Sequence, residues 1–159
     1  RCYTNIKRDL YEKEQFDLAL KLGKKMIGIC RGSQFLCAAS GGRLVQHQDN
    51  PSFIHPITTY DGKVLLASST HHNAQHPYNL PKDEYKVLGW TEGISKFHLN
   101  GENKEISDKP FKEVEICHYP KTNSLGIQMQ PEILYGDSEY DETIKYLQNM
   151  LNDFLNNKL

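Results

Sequence analysis

One stretch constrains this chain more than any other: Lys25-Met26-Ile27-Gly28-Ile29-Cys30-Arg31-Gly32-Ser33-Gln34-Phe35-Leu36, followed by Gly41-Gly42. Its apolar start, Met26, Ile27 and Ile29, is too short for a helix and reads as a buried strand. Phe35, Leu36 and Ala39 then fall at helical spacing, and the paired glycines end that helix in a left-handed cap. Between strand and helix a cysteine stands where the G-x-nucleophile-x-G pattern puts its reactive residue, on a sharp turn that exposes the side chain. Gly28 and Gly32 are expected there because so tight a turn leaves no room for side chains.

At a helix N-terminus, unpaired N–H groups and the helix dipole lower a thiol pKa, which makes Cys30 a candidate nucleophile. The Arg31 backbone N–H would face the oxyanion formed on a carbonyl under attack. The plain alternative is a cysteine buried at an ordinary strand–helix junction. Spacing alone leaves both open, since reactivity depends on exposure. Cys37, two turns along the same helix, reads as packing.

The 159 residues fit one domain, 1–159, large enough for a substantial core. A hydrophobic content of 38% and a formal net charge of −1 describe a soluble globular chain without the signature of a nucleic-acid or anionic-membrane partner. No apolar run approaches a membrane span, and the N-terminus lacks a signal-peptide core. Cys2, Cys30, Cys37 and Cys117 form no C-x-x-C pair and no dense framework, so the expected compartment is a reducing cytoplasm.

Asp9 with Glu12 predicts a capped helix, with Phe16, Ala19 and Leu20 on one face and Gly23 as its stop. Nothing before Asp9 reads as a strand, which makes Met26–Ile29 the first strand of its sheet. Leu44 to Pro56 reads as loop, with a turn at Asp49-Asn50-Pro51-Ser52. Ile57–Tyr60 and Val64–Ala67 flank Asp61-Gly62-Lys63 as a hairpin. His71, His72 and His76 lie in a segment read as loop, with no carboxylate or cysteine at ligand spacing, so no metal is assigned. Tyr85–Trp90, Glu113–His118 and Leu125–Met129 read as strands, with a polar excursion turning at Asn100-Gly101 between the first two. A C-terminal helix capped from Ser138 and Asp141 lines up Ile144, Leu147, Leu151, Phe154 and Leu155, either to cover the sheet or to form a dimer.

Three motifs together carry a resemblance. Gly28-Ile29-Cys30-Arg31-Gly32-Ser33-Gln34 with Gly41-Gly42 resembles the nucleophile motif of class I glutamine amidotransferases, and their γ-glutamyl hydrolase-like branch most of all. Ser69-Thr70-His71-His72-Asn73 is similar to that branch's S-x-H-H-Q substrate loop. Gly126-Ile127-Gln128-Met129-Gln130-Pro131-Glu132 is similar to its G-x-Q-x-H-P-E motif, with Gln130 at the catalytic histidine.

The resemblance implies an α/β fold of flavodoxin-like type, an open, mostly parallel sheet flanked by helices. It also implies that the family's N-terminal strand-helix-strand unit, with the Gly-Gly loop giving a second oxyanion N–H, is missing here. It makes Cys30 the nucleophile, Glu132 the orienting carboxylate, and Gln34, His71 and His72 the substrate contacts. It implies no cofactor. The expected activity is cleavage of a γ-glutamyl amide, impaired because a glutamine at 130 cannot cycle a proton near neutral pH. The expected partners are that small substrate and, for ammonia transfer, a separate synthetase subunit. The apolar edge of Met26–Ile29 adds the expectation of a homo-oligomer formed through it. The rival reading is a silent relative that binds a γ-glutamyl ligand or a protein.

Overall fold

The computed structural model describes residues 5–49, 53–68 and 70–159. In chain order its elements are α1 (Ile6–Lys21), β1 (Met26–Ile29), α2 (Arg31–Ala39), β2 (Arg43–Val45), β3 (His47–Gln48), β4 (Ile54–Thr59) and β5 (Val64–Ser68). There follow β6 (Ala74–His76), β7 (Lys86–Glu92), β8 (His98–Leu99), β9 (Lys112–Tyr119), β10 (Ser124–Ile127), α3 (Pro131–Leu134) and α4 (Asp141–Leu155).

A six-stranded sheet in the order β1-β10-β9-β7-β4-β5 forms the centre. β1 runs parallel to β10, and every other neighbouring pair is antiparallel. Following those directions across the sheet, β1, β10, β7 and β5 point one way and β9 and β4 the other. The expected parallel character therefore survives as a shared direction, with side-by-side parallel pairing confined to β1 and β10. Connection length explains two of the antiparallel pairs, β4 with β5 and β9 with β10. The turn at Asp61-Gly62-Lys63 and the link Pro120–Asn123 are too short to cross over, so the strands they join must be antiparallel.

α4 covers one side of the sheet, packing Leu147, Met150 and Phe154 on Ile57, Leu65, Leu88, Ile116, Leu125 and Ile127. Of the two roles expected of its apolar stripe the structure shows covering of the sheet, although Leu155 at the stripe's end is exposed. Its entry differs from expectation. The Asp137 side chain accepts from the Glu139 N–H, and Asp141 is already the first residue of the helix. α2 lies against β1 and β10 on the other side, beside the two-stranded ribbon of β2 and β6. Cys37 is fully buried there with Cys117 and Tyr119.

The stretch read as loop before Pro56 instead holds β2, β3 and the start of β4. Residues this short in strand form show no alternation, and their partners lie far away: Arg43 opposite His76, His47 opposite Leu99. The turn expected at 49–52 lies largely outside the described residues. β6 likewise replaces part of the expected histidine loop. α1 starts earlier than expected, at Ile6, with Asn5 accepting from the Arg8 N–H as its cap. Asp9 and Glu12 are drawn off to Arg31 and form no capping box. Of its expected inner face only Phe16 is buried, and Leu20 is 40% exposed.

Candidate active site

β1 ends where α2 begins, and Cys30 is the joint. Its backbone sits at φ 50°, ψ −110°, a conformation few non-glycine residues adopt. Holding it there costs about 1–3 kcal/mol, which the surrounding bonds must offset. The Cys30 N–H donates to the Ile127 carbonyl at 2.8 Å. Its own carbonyl accepts from the Ser33 N–H at 3.0 Å and from Ser33 Oγ at 2.7 Å.

The two flanking glycines differ. A Cβ on Gly28 would fall 2.4 Å from the Gly32 carbonyl oxygen and 2.8 Å from Leu36 Cδ1, so helix and strand could not close. A Cβ on Gly32 would meet nothing within 4 Å, so the expectation that both are sterically required holds for Gly28 alone.

The Cys30 thiol is half-buried. Burial pushes it above its ordinary pKa, the neighbouring Arg31 backbone N–H pulls it back, and the charges of Glu132 and Glu115 push it up again. The net direction is upward, which corrects the expectation of an acidified thiol: two carboxylates and lost solvent outweigh the helix terminus. Burial drives Cys37 further, to about 11.

The end of β5 and the residues before β6 bond to Gln130 and Gln34. Ser68 Oγ donates to the Gln130 carbonyl at 2.9 Å and receives the Gln130 N–H at 3.0 Å. The Thr70 hydroxyl donates to Gln130 Oε1. Gln130 is thus tied to this segment, while Glu132, two residues on, is exposed. Gln34 Nε2 donates to the Asn73 carbonyl at 2.8 Å. The same carbonyl meets His71 Nδ1 at 3.0 Å. His71 points inward, and its Nε2 lies 3.9 Å from Glu115 Oε1, which His55 Nε2 approaches at 3.2 Å. Burial lowers the His71 pKa, against the charge of Glu115. His72 is exposed. Ser69 lies outside the described residues.

The structure therefore puts Cys30, Arg31 and Gln34 at the start of α2 with the Glu132 charge acting on Cys30, ties Gln130 to Ser68 and Thr70, buries His71 against Glu115 and leaves His72 facing solvent. Sequence reasoning missed the roles of Thr70, Gln128 and Glu115. Gln128 is fully buried, with Oε1 3.4 Å from Ser33 Oγ. Glu115 had a signal in the alternation of β9, which places Glu113, Glu115 and Cys117 on one side. Among the described residues, no three His, Cys, Asp or Glu side chains group as metal ligands would.

Residues 2–98, more than half of the chain, match the model of the Peptidase C26 family. The chain belongs to that family, whose members are class I glutamine amidotransferase-like. NtpR of Enterococcus hirae is 24% identical over 165 residues, an alignment that takes in 87% of this chain and 60% of NtpR. This Peptidase C26 chain thus spans 60% of the length of that relative. Two solved structures share the fold. A putative GMP synthase subunit from Thermoplasma acidophilum matches with a TM-score of 0.62 at 11% identity, over 96% of this chain and 67% of that one. A glutamine amidotransferase from Thermotoga maritima matches with a TM-score of 0.57 at 15% identity, over 93% and 68%. No helix among the described residues is long and apolar enough to cross a membrane.

Proposed function

We propose that this chain is a Cys-dependent γ-glutamyl amide hydrolase of the γ-glutamyl hydrolase-like branch, slowed by Gln130 at the position of the catalytic histidine. The observation that carries the reading is the backbone of Cys30, strained at φ 50° and ψ −110° directly before the first residue of α2. In the proposed reaction the thiolate attacks the γ-carbonyl, and the Arg31 N–H supports the oxyanion. The C–N bond then breaks, the nitrogen leaves with a proton as ammonia or an amine, and water hydrolyses the thioester to the γ-carboxylate. Gln34 is the proposed contact for the amino-acid end, with His71 and His72 in the substrate loop. Glu132 would orient an imidazole at position 130. Gln130, whose Oε1 accepts from Thr70, can do neither proton transfer the cycle needs. If ammonia is handed on, the natural acceptor is a separate synthetase, because one fold neighbour is described as part of a GMP synthase.

A silent binder is the second reading, favoured by the raised Cys30 thiol and by that tie between Gln130 and Thr70. Ammonia release from glutamine separates the two. Gln130→His should raise turnover by about 10²–10⁴, the usual worth of general acid–base catalysis. The gain should vanish when Cys30→Ala is added. A protein that binds glutamine yet stays inert with Gln130→His is a binder.

A further inference from the structure

We propose that Asp9 and Glu12 of α1 are positioning residues for the nucleophile turn: by clamping the Arg31 side chain they hold the strained turn at Cys30 and keep the Arg31 backbone N–H directed toward Cys30 Sγ. The inference rests on the reading of Cys30 as the reactive group, and deepens it.

The clamp is a compact one. Arg31 Nη1 donates to both oxygens of Glu12, at 2.7 and 2.6 Å, and Arg31 Nη2 donates to Asp9 Oδ1. Arg8 Nε donates to Glu12 Oε1 at 2.7 Å, which steadies that carboxylate from within its own helix. A planar guanidinium gripped by two carboxylates is fixed in direction as well as distance. Arg31 is also the first residue of α2, directly after the strained Cys30. Fixing its side chain therefore limits how far the turn can relax, and the N–H in question belongs to that same residue.

Among the described residues, the other contact of α1 with the joint is apolar: Phe16 and Ala19 line a shallow cavity with Gly28, Gly32 and Phe35. Phe16 meets Phe35 edge-on, with ring centroids 6.1 Å apart, while Ile6, Leu10, Tyr11 and Leu18 are exposed. The clamp also occupies the guanidinium. The groups acting on Cys30 are the Arg31 N–H, Glu132 of α3 and Glu115 of β9, whereas the Arg31 charge is engaged by Glu12 and Asp9.

Two variants of the full chain test this by the pH dependence of Cys30 alkylation with iodoacetamide, located by peptide mapping. Asp9→Ala with Glu12→Ala releases the clamp from α1 and keeps a good helix former at both sites. Arg31→Met releases it from α2 and leaves both carboxylates. Loss of positioning moves the alkylation midpoint to higher pH in both, with the rate at neutral pH falling on the order of tenfold, one pKa unit. Charge alone moves them in opposite directions: removing two anions favours the thiolate, and removing the cation disfavours it. Opposite shifts, or no shift in either variant, overturn the proposal, whatever happens to the melting temperature. Alkylation needs a thiol but no turnover, so the result stands apart from whether ammonia is ever released.

Discussion

The apolar core beneath α4 and the polar layer around Glu115 share a strand and obey opposite rules. On β9, Ile116 joins Leu88, Ile127 and Phe154 in a core where these side chains are at most 1% exposed. On the other side Glu115 is 2% exposed, and His55 and His71 are its neighbours. The first region asks only that volume be filled. The second asks that each donor find an acceptor, and a residue lost there changes charge as well as packing. Stability should therefore answer mainly to the first region, and the reactivity of Cys30 to the second.

The hardest test of that division is Phe154→Ala. It removes a ring that lies under Lys25 Nζ and edge-on to His118, and should cost about 3–5 kcal/mol by chemical denaturation. Alkylation of Cys30 in the folded variant should stay at the wild-type rate. Glu115→Ala should cost less, about 1–3 kcal/mol, because it strips the His55 imidazole of its buried partner. Yet it should speed Cys30 alkylation, since the Glu115 charge is one of the influences pushing that thiol up. Equal losses of stability, with Cys30 untouched in both, would erase the distinction.

The smallest effect sharpens it. Burial lowers the pKa of His71 and of His98, so both are held neutral in the fold. Unfolded, a histidine titrates near 6.5. Between the lower folded values and that pH the unfolded chain binds more protons, so stability is fully present above about pH 6.5 and is lost as pH falls through the folded values. Thermal melts from pH 7 down to pH 5 should show that loss. Phe154→Ala should keep the slope, and His71→Asn should reduce it.

What was legible in the sequence is what is decided locally. The passage from β1 to α2 follows from glycines and apolar spacing within a dozen residues. The β4–β5 hairpin follows from Asp61-Gly62-Lys63, and α4 from its apolar stripe. The remainder was set by partners distant in sequence. β2 pairs with β6 and β3 with β8 through segments of two or three residues, too short to carry a period. Asp9 and Glu12 look like a helix cap until Arg31 is placed between them. Cys30 was misread in its acidity for a related reason. Position at a helix start is visible in sequence, whereas the approach of Glu115 and Glu132 and the loss of solvent are not. Gly28 and Gly32 look equivalent as letters, and only the close approach of the Gly32 carbonyl and Leu36 to Gly28 tells them apart.

Cys30 carries a further implication through its backbone. The conformation at φ 50° is one that glycine adopts with little steric penalty, and any residue with a Cβ holds it against a standing load of about 1–3 kcal/mol. Replacement by glycine would discard the sulfur and relax the turn in a single step. Drift away from chemistry at this position therefore runs downhill in folding free energy, unlike at most sites, where losing a side chain weakens the fold. A thiol kept there is under continual pull from the backbone itself, and only some use for the sulfur opposes that pull.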